Sequence, residues 1–114
     1  ALKVAEELAA AGNSVGVVDL FDICSFAADK LQAALSSYTG IITLEEGFRG
    51  RGGVDAMMFE FIARRGLTAR MLNIGVEGGY RFELGSRAEL HEQVGIGPKF
   101  VLGSVANFIQ SLST

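Results

Sequence analysis

Apolar and polar positions change period several times along the chain, and each change marks an element. Over Ala1 to Ala11 the apolar residues Leu2, Ala5, Leu8 and Ala9 fall on one side and Lys3, Glu6 and Glu7 on the other, so the spacing predicts a helix that stops at Gly12-Asn13. Ser14 to Phe21, with Val15, Val17, Val18 and Leu20, is too continuously apolar for a half-exposed ribbon and predicts a buried strand of a parallel sheet. Ser25 can cap a second helix, Ala27 to Tyr38, whose inner face would be Leu31, Ala34, Leu35 and Tyr38. Gly40-Ile-Ile-Thr-Leu44 predicts another strand, and Val54, Met57, Met58, Phe61 and Ile62 keep the i, i+3, i+4, i+7, i+8 spacing of a third helix. Arg64-Arg65-Gly66 ends that helix with cations against its dipole and a glycine at the stop.

The rest of the chain repeats the alternation. Thr68 to Ile74 is a strand, and Gly75, Gly78 and Gly79 mark an irregular loop after it. Ser86-Arg-Ala-Glu89 has the form of a capping box and opens a short helix that ends at Gly95. Gly97-Pro98 then starts a last helix with Val101, Val105, Phe108, Ile109 and Leu112 on its stripe. Strands alternating with helices call for an α/β fold with a mostly parallel sheet, helices on both faces and right-handed crossovers.

The densest chemistry lies at one strand-to-helix junction. Thr43-Leu-Glu-Glu-Gly-Phe-Arg-Gly-Arg-Gly-Gly-Val54 joins two carboxylates, a glycine-rich turn with two arginines, and a helix start. In open α/β sheets this is where the working surface stands. Gly47, Gly52 and Gly53 with Arg49 and Arg51 could cradle an anion against helix N–H groups, or form a tight turn whose arginines are exposed or at an interface. The loop fits neither phosphate fingerprint: Asp55 stands where G-x-G-x-x-G needs its last glycine, and Gly53 stands where a P-loop needs lysine. Asp55 also competes for the positive end of the helix. Glu45 and Glu46, as strand neighbours, point to opposite faces, which favours ion pairs to Arg49, Arg51 or a neighbouring domain over paired acid and base catalysis.

Leu44-Glu-Glu-Gly47 with its glycine turn, Met71-Leu-Asn-Ile-Gly75 on the next strand, and Gly85-Ser-x-x-Glu-Leu90 at a helix start together resemble the C-terminal domain of the transketolase family. That family comprises thiamine-diphosphate enzymes, including transketolase, deoxyxylulose-phosphate synthase and the β subunits of 2-oxoacid dehydrogenases. The resemblance covers nearly the whole chain and implies a three-layer α/β/α fold. It also implies a first strand, ahead of the opening helix, on one edge of the sheet. No N-cap residue precedes Ala1, so the chain reads as residues 1–114 of one domain, a fragment or subunit of a larger enzyme with that first edge strand missing, and an edge so opened would favour pairing with another chain.

Further expectations follow from the resemblance. Diphosphate, magnesium and aminopyrimidine contacts belong to two preceding domains of such enzymes, and this chain has no Gly-Asp-Gly metal-diphosphate motif. It is therefore expected to be non-catalytic, to bind neither thiamine diphosphate nor magnesium itself, and to pack against companion domains in a homo-oligomer. The loop carrying Tyr80, Arg81 and Phe82 matches one near the contact with neighbouring domains, so these residues read as docking anchors, with a satellite of the domain's own core as the alternative. A free-standing anion- or nucleotide-binding module, or a separate subunit of a split enzyme, are the other readings.

Composition narrows the classes. With 49% hydrophobic and 20% charged residues in 114, the chain can bury a core and is not disordered. A formal net charge of -3 argues against a nucleic-acid or anionic-membrane surface. One cysteine, Cys24, excludes an internal disulfide and reads as a small apolar filler or interface residue, and with one histidine, His91, no structural zinc spacing exists. His91 reads as a surface side chain without a recognisable partner, Met57-Met58 as core, and Phe59, off the main stripe, as a contact surface. No apolar run is long enough to span a membrane, and the cytoplasm is the expected compartment.

Overall fold

The computed structural model describes residues 1–113. The elements in chain order are α1 (Leu2–Ala10), α2 (Ala28–Leu35), β1 (Gly40–Phe48), α3 (Val54–Arg65), β2 (Arg70–Val76), α4 (Arg87–Gln93) and α5 (Pro98–Leu112). β1 and β2 run parallel, with Gly40 opposite Arg70 and the register continuing to Leu44 opposite Ile74. Thr43 and Asn73, partners in that register, are also joined by their side chains, the threonine hydroxyl donating to Asn73 Oδ1 at 2.8 Å.

The sheet separates two apolar clusters, because successive strand side chains point to opposite faces. On one face Val4 and Leu8 of α1 and Val101 and Val105 of α5 pack with Ile74 and the flanking Ile42 and Leu72. On the other, Leu31 of α2 and Met58, Phe61 and Ile62 of α3 pack with Ile41 and the flanking Met71. This is the expected three-layer α/β/α arrangement. The stop of α3 and the start of α4 follow the sequence signals. Gly66 closes α3 in the left-handed conformation at φ 65°, and Ser86 and Glu89 form the reciprocal capping box of α4.

Several expectations are corrected. Ser14 to Phe21 is not a strand. Val15 packs on the first cluster and Leu20 on the second, yet no ladder joins this segment to β1, and Val17, Val18 and Phe21 are exposed. An apolar run reports a tendency to be buried, whereas a strand also requires a neighbour in register. α2 is shorter than expected, and Ser25 does not cap it. The amides of Cys24 and Ser25 instead donate to Asp22 Oδ1 at 3.1 and 3.0 Å, a local turn that competes with the cap. Tyr38 lies beyond α2, with its phenol over Gly16, where a Cβ would stand only 2.9 Å from the hydroxyl oxygen. Ala34 is exposed, and so is Cys24, which is therefore no core filler. Among the described residues no helix is long and apolar enough to cross a membrane.

Candidate functional site

β1 does not stay in step with β2 to its end. Four steps along β1, from Leu44 to Phe48, match two along β2, from Ile74 to Val76, so Glu45, Glu46 and Gly47 form a bulge. The ladder resumes where the Arg49 amide donates to Val76 O at 2.8 Å. Gly75 allows this, since a Cβ there would stand 2.9 Å from Gly47 O. A bulge of this kind re-aims side chains at the end of a strand. Here it turns the two adjacent carboxylates to different helices.

Glu45, half-buried, faces α3. Its carboxylate accepts from the Val54 amide at 3.1 Å and, at a longer 3.5 Å, from the Asp55 amide, so a side chain from the strand satisfies the open N–H groups of the helix start. Asp55, only 2% exposed, completes the closure. One of its oxygens accepts from the Gly50 amide at 2.6 Å and the other from the Ala56 amide at 2.7 Å. Gly50 and Gly52, at φ 73° and 87°, provide the left-handed turns that bring the loop back over this carboxylate.

The donors that would recognise an anion are therefore engaged by two carboxylates of the chain itself. A diphosphate placed at the start of α3 would meet like charge and find the Val54, Asp55 and Ala56 amides taken, so these residues do not fit the thiamine cofactor's diphosphate. Among the described residues no three His, Cys, Asp or Glu side chains gather as a metal-binding group.

Glu46, exposed, turns toward α4. It pairs with Arg87 and lies 3.7 Å from His91 Nε2. The ion pairs expected from Glu45 or Glu46 to Arg49 or Arg51 do not form: Arg49 pairs with Glu77 beyond β2, and Arg51 donates only a long 3.4 Å bond to Gly50 O. His91 is likewise not the partnerless surface residue expected, being 26% exposed and beside Glu46. The partners were illegible because Glu77, Arg87 and His91 are distant in sequence and are brought to the β1 end only by the packing of β2 and α4. An acid in the first helical turn, Asp55, was the one local signal of how the loop closes.

Two open clefts flank the bulge. One, of about 320 Å³, lies between the glycine loop, Phe59 and the β2 residues Met71 to Asn73. The other, of about 350 Å³, lies between Lys3, Glu45, Glu46, His91 and the start of α5. Phe59, which lines the first, stands 54% exposed, and Phe48 at the end of β1 is 47% exposed.

The Arg87 hydrogen bond holds the Glu46 carboxyl below its ordinary value of 4.5, outweighing the opposing desolvation, with the charges of Arg87 and His91 acting in the same direction as the hydrogen bond. Because the folded value is depressed, the pair stabilises the fold fully above pH 4.5, and that contribution is lost as pH falls through the lowered value. Arg87→Gln is expected to return the Glu46 titration, followed by carboxyl NMR, toward 4.5. An unmoved titration would show that Arg87 does not hold this carboxylate in solution.

Residues 1–101 match the family model described as transketolase, C-terminal domain. Among curated proteins the chain is 31% identical over 109 residues to 1-deoxy-D-xylulose-5-phosphate synthase of Syntrophotalea carbinolica, covering 96% of this chain and 17% of the relative. It is 29% identical over 113 residues to the synthase of Hahella chejuensis, covering 99% of this chain and 16% of the relative. The synthase of Aquifex aeolicus is 33% identical over 96 residues, covering 84% of this chain and 15% of the relative. The chain thus corresponds to about a sixth of the length of these relatives. No solved structure matches it.

Proposed function

The chain belongs to the transketolase C-terminal domain family, and on that premise we propose that it is the supporting and docking domain of a thiamine-diphosphate enzyme acting on ketoses or 2-oxo acids. Residues 1–114 act as one domain, as a fragment or a separate subunit of the larger enzyme, and the enzyme is a homo-oligomer. The named relatives favour a 1-deoxy-D-xylulose-5-phosphate synthase as the parent. The observation that carries the reading is the match itself, which takes in nearly all of this chain and only 15% to 17% of each relative. The companion parts of such an enzyme hold the cofactor and magnesium and perform the chemistry.

The surface supports this role. Tyr80, Arg81 and Phe82 and the rim of the Gly47–Gly53 loop, with Arg51, Phe48 and Phe59, put aromatic and arginine side chains at the carboxyl end of the sheet. Such residues anchor interfaces when a partner desolvates them. The self-satisfied start of α3 makes the loop a rigid shape to be packed against, which favours docking over the anion-binding module.

A chimera tests this reading: the chain replaces the matching segment of the Syntrophotalea carbinolica synthase. It is expected to bind thiamine diphosphate and keep synthase turnover. A folded chimera that binds the cofactor but does not turn over would overturn the docking role. Calorimetry of the 114-residue chain with thiamine diphosphate and magnesium is expected to give no heat of binding, and a micromolar dissociation constant would end the non-catalytic reading.

A further inference from the structure

Residues 80–84 read Tyr-Arg-Phe-Glu-Leu, an alternation of large apolar and charged side chains. Tyr80, Phe82 and Leu84 are 92%, 86% and 92% exposed. One exposed apolar side chain is ordinary, but three at alternate positions make a stripe on one side of an extended segment. The Tyr80 and Phe82 rings bear this out, with centroids 6.3 Å apart and planes inclined by 32°. Among the described residues no backbone-to-backbone hydrogen bond ties residues 80–84 to the rest of the molecule, and Arg81 is held by its side chain alone, donating to Glu77 O at 2.9 Å. The segment, which belongs to no strand of this chain, thus has unpaired backbone groups as well as an apolar stripe.

The geometry points to a second copy of this chain as the occupant, its own residues 80–84 pairing antiparallel with these about a twofold axis at Phe82. This rests on the docking reading and names the partner of that part of the surface. The argument is complementarity. The twofold sets Phe82 against Phe82, Tyr80 against Leu84 on the same face, and Arg81 against Glu83 on the other, twice over by symmetry. Each of these cross-strand pairs is favourable.

The alternatives are disfavoured by the same five residues. A slip of one residue places Phe82 against Glu83 and Arg81 against Leu84. Centring on Arg81 or on Glu83 sets like charges directly opposite each other, as does a parallel pairing in register. A strand with one self-complementary register is specified in a way that an arbitrary apolar edge is not. Six such side chains bury on the order of 1,000 Å², the low end of a specific interface, so the dimer is expected to be a weak one.

Sedimentation equilibrium of the 114-residue chain, from about 1 μM to about 1 mM, tests the pairing. The unmodified chain is expected to pass from monomer to dimer. Arg81→Glu and Glu83→Arg, each of which creates two like-charge pairs, are expected to weaken the dimer about tenfold, and the double variant to restore it. Both positions are exposed, so folding is not at stake. A monomer throughout the range, association beyond the dimer, or a dimer that ignores the charge reversals would overturn the proposal. A monomeric chain whose chimera keeps synthase turnover would end the self-pairing and leave the docking reading standing, whereas a charge-sensitive dimer with an inactive chimera would do the reverse.

Discussion

Asp55→Ala is expected to cost about 2 to 3 kcal/mol, because the substitution removes a buried, charge-assisted acceptor that holds both the Gly50 and the Ala56 amides. The loss should be local before it is global. Exchange protection at the Gly50 and Ala56 amides should fall, while the Arg49 amide, which belongs to the resumed β1–β2 ladder, should keep its protection. Asp55→Asn, which retains an acceptor oxygen but loses the charge, should lie between the wild type and alanine. Urea denaturation gives the total and amide exchange gives the location. An alanine variant within about 0.5 kcal/mol of wild type would mean that the glycine loop is closed by something other than this carboxylate, and the case for a preformed docking rim would weaken with it.

Phe61→Ala should have the larger effect on stability, about 3 to 5 kcal/mol. Phe61 is 7% exposed at the centre of the cluster beneath β1, packed among Leu31, Ile41, Met58 and Ile62. Its ring meets the edge of Phe26 at 5.7 Å, and the Arg65 guanidinium lies 5.6 Å from its centroid. Removing it opens a cavity, ends an aromatic pair worth about 0.5 to 1.5 kcal/mol, and releases Phe26, one of the few anchors of the irregular segment before α2. For a domain of this size the midpoint of thermal unfolding should drop by more than about 10 °C. A shift of only a few degrees would show that the α2 and α3 layer collapses easily onto the sheet, and that the segment before α2 is held elsewhere. Phe59, two residues earlier and half-exposed, is the internal control: Phe59→Ala should leave stability nearly unchanged.

The Asp55 effect arises from how one strand end is finished. β1 carries its carboxylates into a bulge, the bulge sends Glu45 to α3 and Glu46 to α4, and the two helices are thereby referenced to the same point of the sheet. The glycine loop lies between them, its Arg49 amide held by Val76 O and its Gly50 amide by Asp55. The Glu46 pairs are exposed and contribute little stability, so their effect is on orientation. A rim held in this way can present aromatic and arginine side chains without reorganising on contact, which lowers the cost of docking.

Residue spacing alone placed the helices and the two strands that pair, though not the start, end and inner face of α2 or the buried side of α1, where Val4 rather than Leu2 is buried. The buried stripe of α3, the glycine stop at Gly66, the capping box at Ser86 and the proline start of α5 are local devices, each complete within a turn or two of chain, and each is found where its residues stand. The family likeness was also legible, because its motifs are contiguous. What lay beyond the sequence was everything requiring two distant segments to meet: whether Ser14 to Phe21 would find a ladder, which cation would take Glu46, and that Asp55 and Glu45 would consume the amides an anion would need. Periodicity reports which side of an element prefers to be dry, a property of the element itself. A pairing partner is decided by where the backbone of another element passes, and only the packing of β2, α3 and α4 around the end of β1 settles that.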